Sequence, residues 1–156
     1  MSDQPHDHAN VVAPPPLIYA GALVAGLLLQ RYRPLPVLPA RVGRPLGALL
    51  IGLNFLIAIP AVLGMRRART SLNPAAPTTA IVTSGPFGYT RNPIYLSFAI
   101  LYAGIALFRN ALWPLLLLPG VLTVMTKGVI EREERYLTRL FGEDYTRYCE
   151  RVRRWV

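Results

Sequence analysis

Residues 45–65 read PLGALLIGLNFLIAIPAVLGM, 21 positions without a charged side chain. As an α-helix this run rises about 31 Å, close to the hydrocarbon thickness of a bilayer. Arg66, Arg67 and Arg69 close it, and Pro60 is expected to kink it. Three further uncharged blocks flank it, at residues 11–30, 92–108 and 110–126. Charge confined to the gaps between apolar blocks is what a bilayer demands, because a charge at its centre costs several kcal/mol. In the first block Pro14, Pro15 and Pro16 admit regular helix only from about Leu17, which leaves a short span. The stretch 92–126 is broken only by Arg109. One helix of that length would reach about 50 Å, so two short helices turning at Arg109-Asn110 are expected. Pro114 and Pro119 are expected to kink the second arm of this hairpin.

The fold implied is all-α, an integral membrane protein of about four transmembrane helices. The last two form a tight helical hairpin, followed by an amphipathic, cytoplasmic carboxy-terminal helical segment. A length of 156 residues suits a single membrane domain, with residues 1–65 as amino-terminal tail and two spans and 66–156 as the functional core. The 17 Lys and Arg against 8 Asp and Glu would suggest nucleic acid in a soluble chain. Here they follow the spans, so membrane lipids replace nucleic acid as the expected partner. With both termini cytoplasmic, 12 basic residues lie inside and five outside, the ordinary bias. Cys149 is the single cysteine, which excludes an internal disulfide and a thiolate metal cluster. His6 and His8 sit in a polar tail, and no metal site is expected. The first ten residues lack Lys and Arg, so the first apolar block is expected to stay attached rather than serve as a signal peptide.

After Lys127 the chain turns charged and amphipathic. Ile130, Glu134, Leu137 and Phe141 form one helical stripe, with Glu133, Leu137 and Leu140 beside it. Glu131 and Arg135 are spaced for a surface ion pair, and Gly142 is expected to end the helix. A second helix from Glu143-Asp144 carries Tyr145, Tyr148 and Val152. Two carboxylates on or beside a buried face need a cation or a proton to offset them. Arg153, Arg154 and Trp155 read as an interfacial end at headgroup depth.

The approach to the third block, residues 84–95, reads SGPFGYTRNPIY. Gly85 and Gly88 permit tight backbone paths, and Pro93 suits the first helical turn, leaving Arg91 and Asn92 at the helix mouth. The pattern from Gly85 to Tyr95, then Glu133-Glu134 with Leu137, then Phe141-Gly142 with Tyr145 and Tyr148, resembles the isoprenylcysteine carboxyl methyltransferases, short bacterial-type members included, and their wider phospholipid methyltransferase relatives. The likeness covers roughly residues 66–154, including Thr70, Asn73 and Pro74. Asn92 stands where many relatives carry His, and Gly128 where the eukaryotic enzymes carry Arg.

The resemblance implies S-adenosylmethionine as cofactor and a bacterial inner-membrane location with the cofactor pocket on the cytoplasmic side. It implies that Ile81, Val82, Gly85, Tyr89, Arg91, Asn92, Pro93, Tyr95, Glu133, Glu134 and Leu137 line the cofactor. The acceptor, a lipophilic small molecule or lipidated substrate, would arrive sideways from the bilayer. Glu133 is the expected group at the reaction centre, with Arg91 or Arg151 orienting an anionic acceptor. A carboxylate acceptor needs no base, whereas an amine must shed a proton that Glu133 or Glu134 can take. The leading reading is an S-adenosylmethionine-dependent membrane methyltransferase resembling the isoprenylcysteine carboxyl O-methyltransferases; the alternatives are a phospholipid-amine N-methyltransferase, a membrane reductase using NADPH and a non-catalytic membrane protein.

Overall fold

The structure is a computed structural model that describes residues 9–74 and 76–156; His6 and His8 lie outside the described residues. It is all-α. Helix α1 (Pro15–Tyr32) begins two residues earlier than the sequence suggests, because proline at the first turn replaces an amide that would lack a partner anyway. Helix α2 (Ala40–Arg67) is also longer, taking Arg41, Arg44 and Pro45 into its first turns. A 3-10 turn (Gly85–Gly88) precedes α3 (Pro93–Phe108). Helix α4 (Leu112–Met125) passes through a π turn (Thr126–Ile130) into α5 (Glu131–Phe141), and α6 (Glu143–Arg151) follows Gly142.

The sequence reading separated α4 from α5 at Lys127, where composition changes. The chain instead runs on as one helical rod, Leu112–Phe141, giving five rods among the described residues. Nothing between Met125 and Glu131 breaks a helix, and Gly128 is held by the amino-terminal segment, where the Val12 amide donates to its carbonyl at 3.2 Å. The extra residue of a π turn rotates all that follows by about 100° relative to a continued α-helix. That rotation sets the face on which Glu133 and Glu134 stand.

Two rods, Ala40–Arg67 and Leu112–Phe141, are long and apolar enough to cross a membrane. Only 17% of the most apolar window of α2 is buried within the protein. Leu49, Phe55, Leu56 and Ile59 are all more than half exposed. A soluble core helix would hide such residues; these form an apolar surface whose natural solvent is lipid. Helix α3 is shorter, at 16 residues, and packs most closely on α2. Contact there is backbone to backbone: a Cβ added at Gly104 would lie 3.1 Å from the Gly47 carbonyl oxygen. Helix α1 meets α4 in the same way, Gly26 against Pro114. Between these pairs lies a core of Tyr19, Tyr95, Tyr102, Met125, Val129 and Ile130. Two of its phenols are satisfied by backbone, Tyr19 donating to the Tyr95 carbonyl and Tyr102 to that of Pro114.

The expected turn at Arg109-Asn110 is present. Asn110 takes a left-handed φ of 51°, and its Oδ1 accepts the amides of Val37 and Leu38 at 2.8 and 3.1 Å. One side chain therefore ties the α3–α4 turn to the α1–α2 connection. Asn110→Ala is expected to cost about 2–3 kcal/mol, combining two lost hydrogen bonds with the penalty for a Cβ-bearing residue that tolerates this φ less well. Asn110→Gly recovers only the backbone part. Thermal melts in detergent should rank wild type above glycine above alanine; equal glycine and wild-type midpoints would show the side-chain bonds to be idle.

Candidate active site

The segment between α2 and α3 is pinned by its own side chains. Arg69 sits at a left-handed φ of 53°, and the buried Thr70 accepts the Thr79 amide through Oγ1. The Thr79 hydroxyl returns a bond to the Arg69 carbonyl, closing a ten-residue loop. Helix α5 holds the far limb, the Tyr136 hydroxyl accepting the Thr78 amide. Gly85, at φ 61°, then turns the chain into the 3-10 turn, and Tyr148 of α6 donates to the Phe87 carbonyl at 2.7 Å.

The carboxy-terminal tail completes the enclosure. It leaves α6 in extended conformation at Val152 and runs beside residues 90–92. The Arg91 amide donates to the Arg153 carbonyl, while the Thr90 hydroxyl and the Asn92 amide group both donate to that of Arg154. Trp155 packs on the central core. The interfacial reading of Arg154 and Trp155 is therefore corrected: of the three residues at this end, only Arg153 remains exposed.

A cleft between these pieces is lined by Ile81, Val82, Arg91, Asn92, Glu133, Glu134 and Leu137, together with Thr70, Asn73, Phe87, Tyr145 and Tyr148. A smaller pocket adjoins it toward α2 and α3, lined by Leu72, Ile94, Pro93 and Tyr95 and sharing Met65, Phe87, Arg91, Asn92 and Glu133 with the cleft. Nine of the eleven positions that the family resemblance assigns to the cofactor thus converge. Gly85 and Tyr89 do not line either cavity, and Tyr89 is 83% exposed. Arg151 also stands apart, exposed on α6 with its Nε donating to the Arg147 carbonyl.

The two carboxylates have different surroundings. Glu134 is saturated with cations: Arg154 grips it through Nε at 3.0 Å and Nη2 at 2.7 Å, and Arg91 Nη1 lies 3.2 Å from Oε1. Arg154 also reaches Glu131 at 3.7 Å, the partner that spacing had given to Arg135. Glu133 makes no ion pair among the described residues; Tyr95 donates to its Oε2 at 2.9 Å. Burial pushes the Glu133 carboxyl up to about 7, with the Tyr95 hydrogen bond pulling the other way and Glu134 adding to the rise. Burial also raises the Tyr145 and Tyr148 phenols, which stay neutral near pH 7.

Arg91 donates through Nη1 to Cys149 Sγ at 2.6 Å, yet its buried Nε has no protein partner. An orphaned guanidinium N–H beside apolar walls, with a carboxylate that lacks a counter-ion, is a donor set suited to a zwitterionic ligand bearing a flat apolar end. S-adenosylmethionine, the cofactor that the resemblance implies, has that character: its carboxylate would suit Arg91, its positive charge Glu133, and its adenine Ile81, Val82 and Leu137. The residues present fit it.

Sequence reasoning missed Arg154, Met65, Phe87 and the tyrosine pair as neighbours of the site. Only the need of Glu134 for a cation pointed toward Arg154, because an extended tail has no periodicity to read. A family profile described as phospholipid methyltransferase matches residues 42–144. No curated protein matches the chain.

Proposed function

The chain belongs to the phospholipid methyltransferase family, which uses S-adenosylmethionine, and from that premise we propose that Glu133 is the reaction-centre base of a membrane methyltransferase acting on a lipid amine. The cofactor supplies an electrophilic methyl group on a sulfonium, for in-line displacement. The cleft beneath Ile81, Val82 and Leu137 is its seat in this reading, and the adjoining pocket beside Met65, Leu72 and Ile94 takes the acceptor. Glu133 forms the wall common to both.

The observation that carries the reading is the asymmetry of the carboxylates. Glu134, held by two arginines, has little capacity left for a ligand cation. Glu133 is poised near neutrality, the range in which a base both ionises and accepts a proton. An amine acceptor must lose a proton, so this favours the amine over the carboxylate. An isoprenylcysteine carboxylate would have to be oriented by Arg91 alone, since Arg151 lies outside both cavities. Positioning supplies the rest of the acceleration, as in other displacement reactions between bound partners.

The four apolar helices α1 to α4 form the membrane part in this reading, with α3 and the apolar arm of α4 as short spans and both termini cytoplasmic. The whole chain then serves as one membrane domain, and the bacterial inner membrane suits its size and charge bias.

Calorimetric titration of detergent-purified protein with S-adenosylhomocysteine, with NADPH in parallel, tests the cofactor seat. Saturable binding of S-adenosylhomocysteine alone is expected, weakened at least tenfold in Arg91→Ala. NADPH binding would favour the reductase reading, and binding of neither ligand would remove the cleft as a cofactor site.

A further inference from the structure

We propose that Arg154 is a positioning residue for the cofactor's carboxylate, acting by neutralising Glu134 so that Arg91 keeps its positive charge available to the cleft. The inference rests on the cofactor seat proposed above and adds the device that keeps Arg91 free to meet an anionic group. Glu134 presents two oxygens, and Arg154 occupies both in a forked arrangement, Nη2 on Oε2 at 2.7 Å and Nε on Oε1 at 3.0 Å. Such bidentate pairs are the strongest and most directional of the arginine–carboxylate contacts. Arg91 shares only Oε1, at a longer 3.2 Å, through a single nitrogen. Its Nε stays without a protein partner although its side chain is only 15% exposed. Arg154, which also reaches Glu131 at 3.7 Å, gives Glu134 its bidentate partner, so Arg91 is only partly engaged by that carboxylate. Without Arg154, Glu134 and Arg91 form a neutral pair, and the site loses its affinity for an anionic group.

The geometry separates this electrostatic role from an anchoring one. The tail is latched to Thr90, Arg91 and Asn92 through the backbone carbonyls of Arg153 and Arg154. Those bonds survive removal of the Arg154 side chain. Arg154→Ala therefore removes the bidentate counter-ion of Glu134 while leaving the latch in place.

The test uses two probes in the detergent-purified full chain: S-adenosylhomocysteine, which has the amino-acid carboxylate, and 5′-methylthioadenosine, which lacks it. Arg154→Ala should weaken S-adenosylhomocysteine binding at least tenfold and leave 5′-methylthioadenosine within twofold of wild type. Adding Glu134→Gln to Arg154→Ala should restore most of the lost affinity, because the competing negative charge is gone. Arg154→Lys should fall between, keeping the charge but not the fork. Equal weakening of both probes would mean that the tail has come loose, and would overturn the proposal. Failure of Glu134→Gln to rescue would overturn it too. Wild-type protein that binds neither probe would instead remove the cofactor seat on which the inference stands.

Discussion

Replacing Glu133 with glutamine is expected to lower kcat/KM by about 10²–10⁴ at pH 8, the range typical of a lost general base. S-adenosylhomocysteine affinity should change little, because the Arg91 and adenine contacts are retained. Glutamine is close in size and its amide oxygen can still accept from Tyr95, so the variant keeps the local hydrogen bond. The pH profile gives the sharper reading. Wild-type kcat/KM should rise as pH passes through about 7, where Glu133 ionises, and the variant should lack that limb. Stability supplies an independent check with the opposite sign. A carboxyl whose folded pKa is raised from 4.5 to about 7 contributes stability below pH 4.5 that is lost as pH climbs through 7. The loss is on the order of 3 kcal/mol, at about 1.4 kcal/mol per unit. Ligand-free wild type should therefore melt at progressively lower temperature between pH 5 and 8, whereas Glu133→Gln should lack this fall and be the more stable protein at pH 8. A flat wild-type activity profile between pH 6 and 8 would remove the base role and return the carboxylate acceptor to the front.

The parts of this arrangement that were legible in the sequence are those governed by local pattern. The uncharged blocks announced α2, α3 and α4, since a run of 21 uncharged, mostly apolar positions matches the thickness of a bilayer. Gly142 announced the break before α6, because glycine tolerates left-handed backbone, and the hairpin turn followed from the length of the uncharged stretch that Arg109 interrupts. The convergence of Arg91 and Asn92 with Glu133 and Glu134 followed from the family resemblance. What distinguishes the two adjacent glutamates did not. Neighbours on a helix point about 100° apart, and which one meets the arginines depends on the π turn at Thr126–Ile130. That turn leaves no compositional mark. Nor does the path of the tail, whose contacts with residues 90–92 are carried by backbone carbonyls that any sequence would offer.

The same helix packing that aligns the site makes Gly47 the position least able to accept a side chain. A Cβ there would lie 2.6 Å from the Gly104 carbonyl oxygen and against the Phe108 backbone. These are backbone atoms of α3, so no rotamer change relieves the clash; the helices must separate. Gly47→Val is expected to destabilise by at least 3 kcal/mol, since overpacking ordinarily costs about 1–3 kcal/mol even where side chains can yield. Gly52, five residues along the same helix, has open space around it, so Gly52→Val should stay within about 1 kcal/mol of wild type. The pair controls for helix propensity, which is the same for both substitutions. The consequence also reaches the site. Helix α2 delivers Met65 and α3 delivers Pro93 and Tyr95 to the proposed acceptor pocket, so parting the two helices withdraws Tyr95 from Glu133. Gly47→Val should therefore lose acceptor methylation even in the fraction that remains folded, while Gly52→Val retains it. Equal melting temperatures for the two variants in detergent would mean that the α2–α3 contact is looser than backbone against backbone, and that the acceptor pocket does not depend on it.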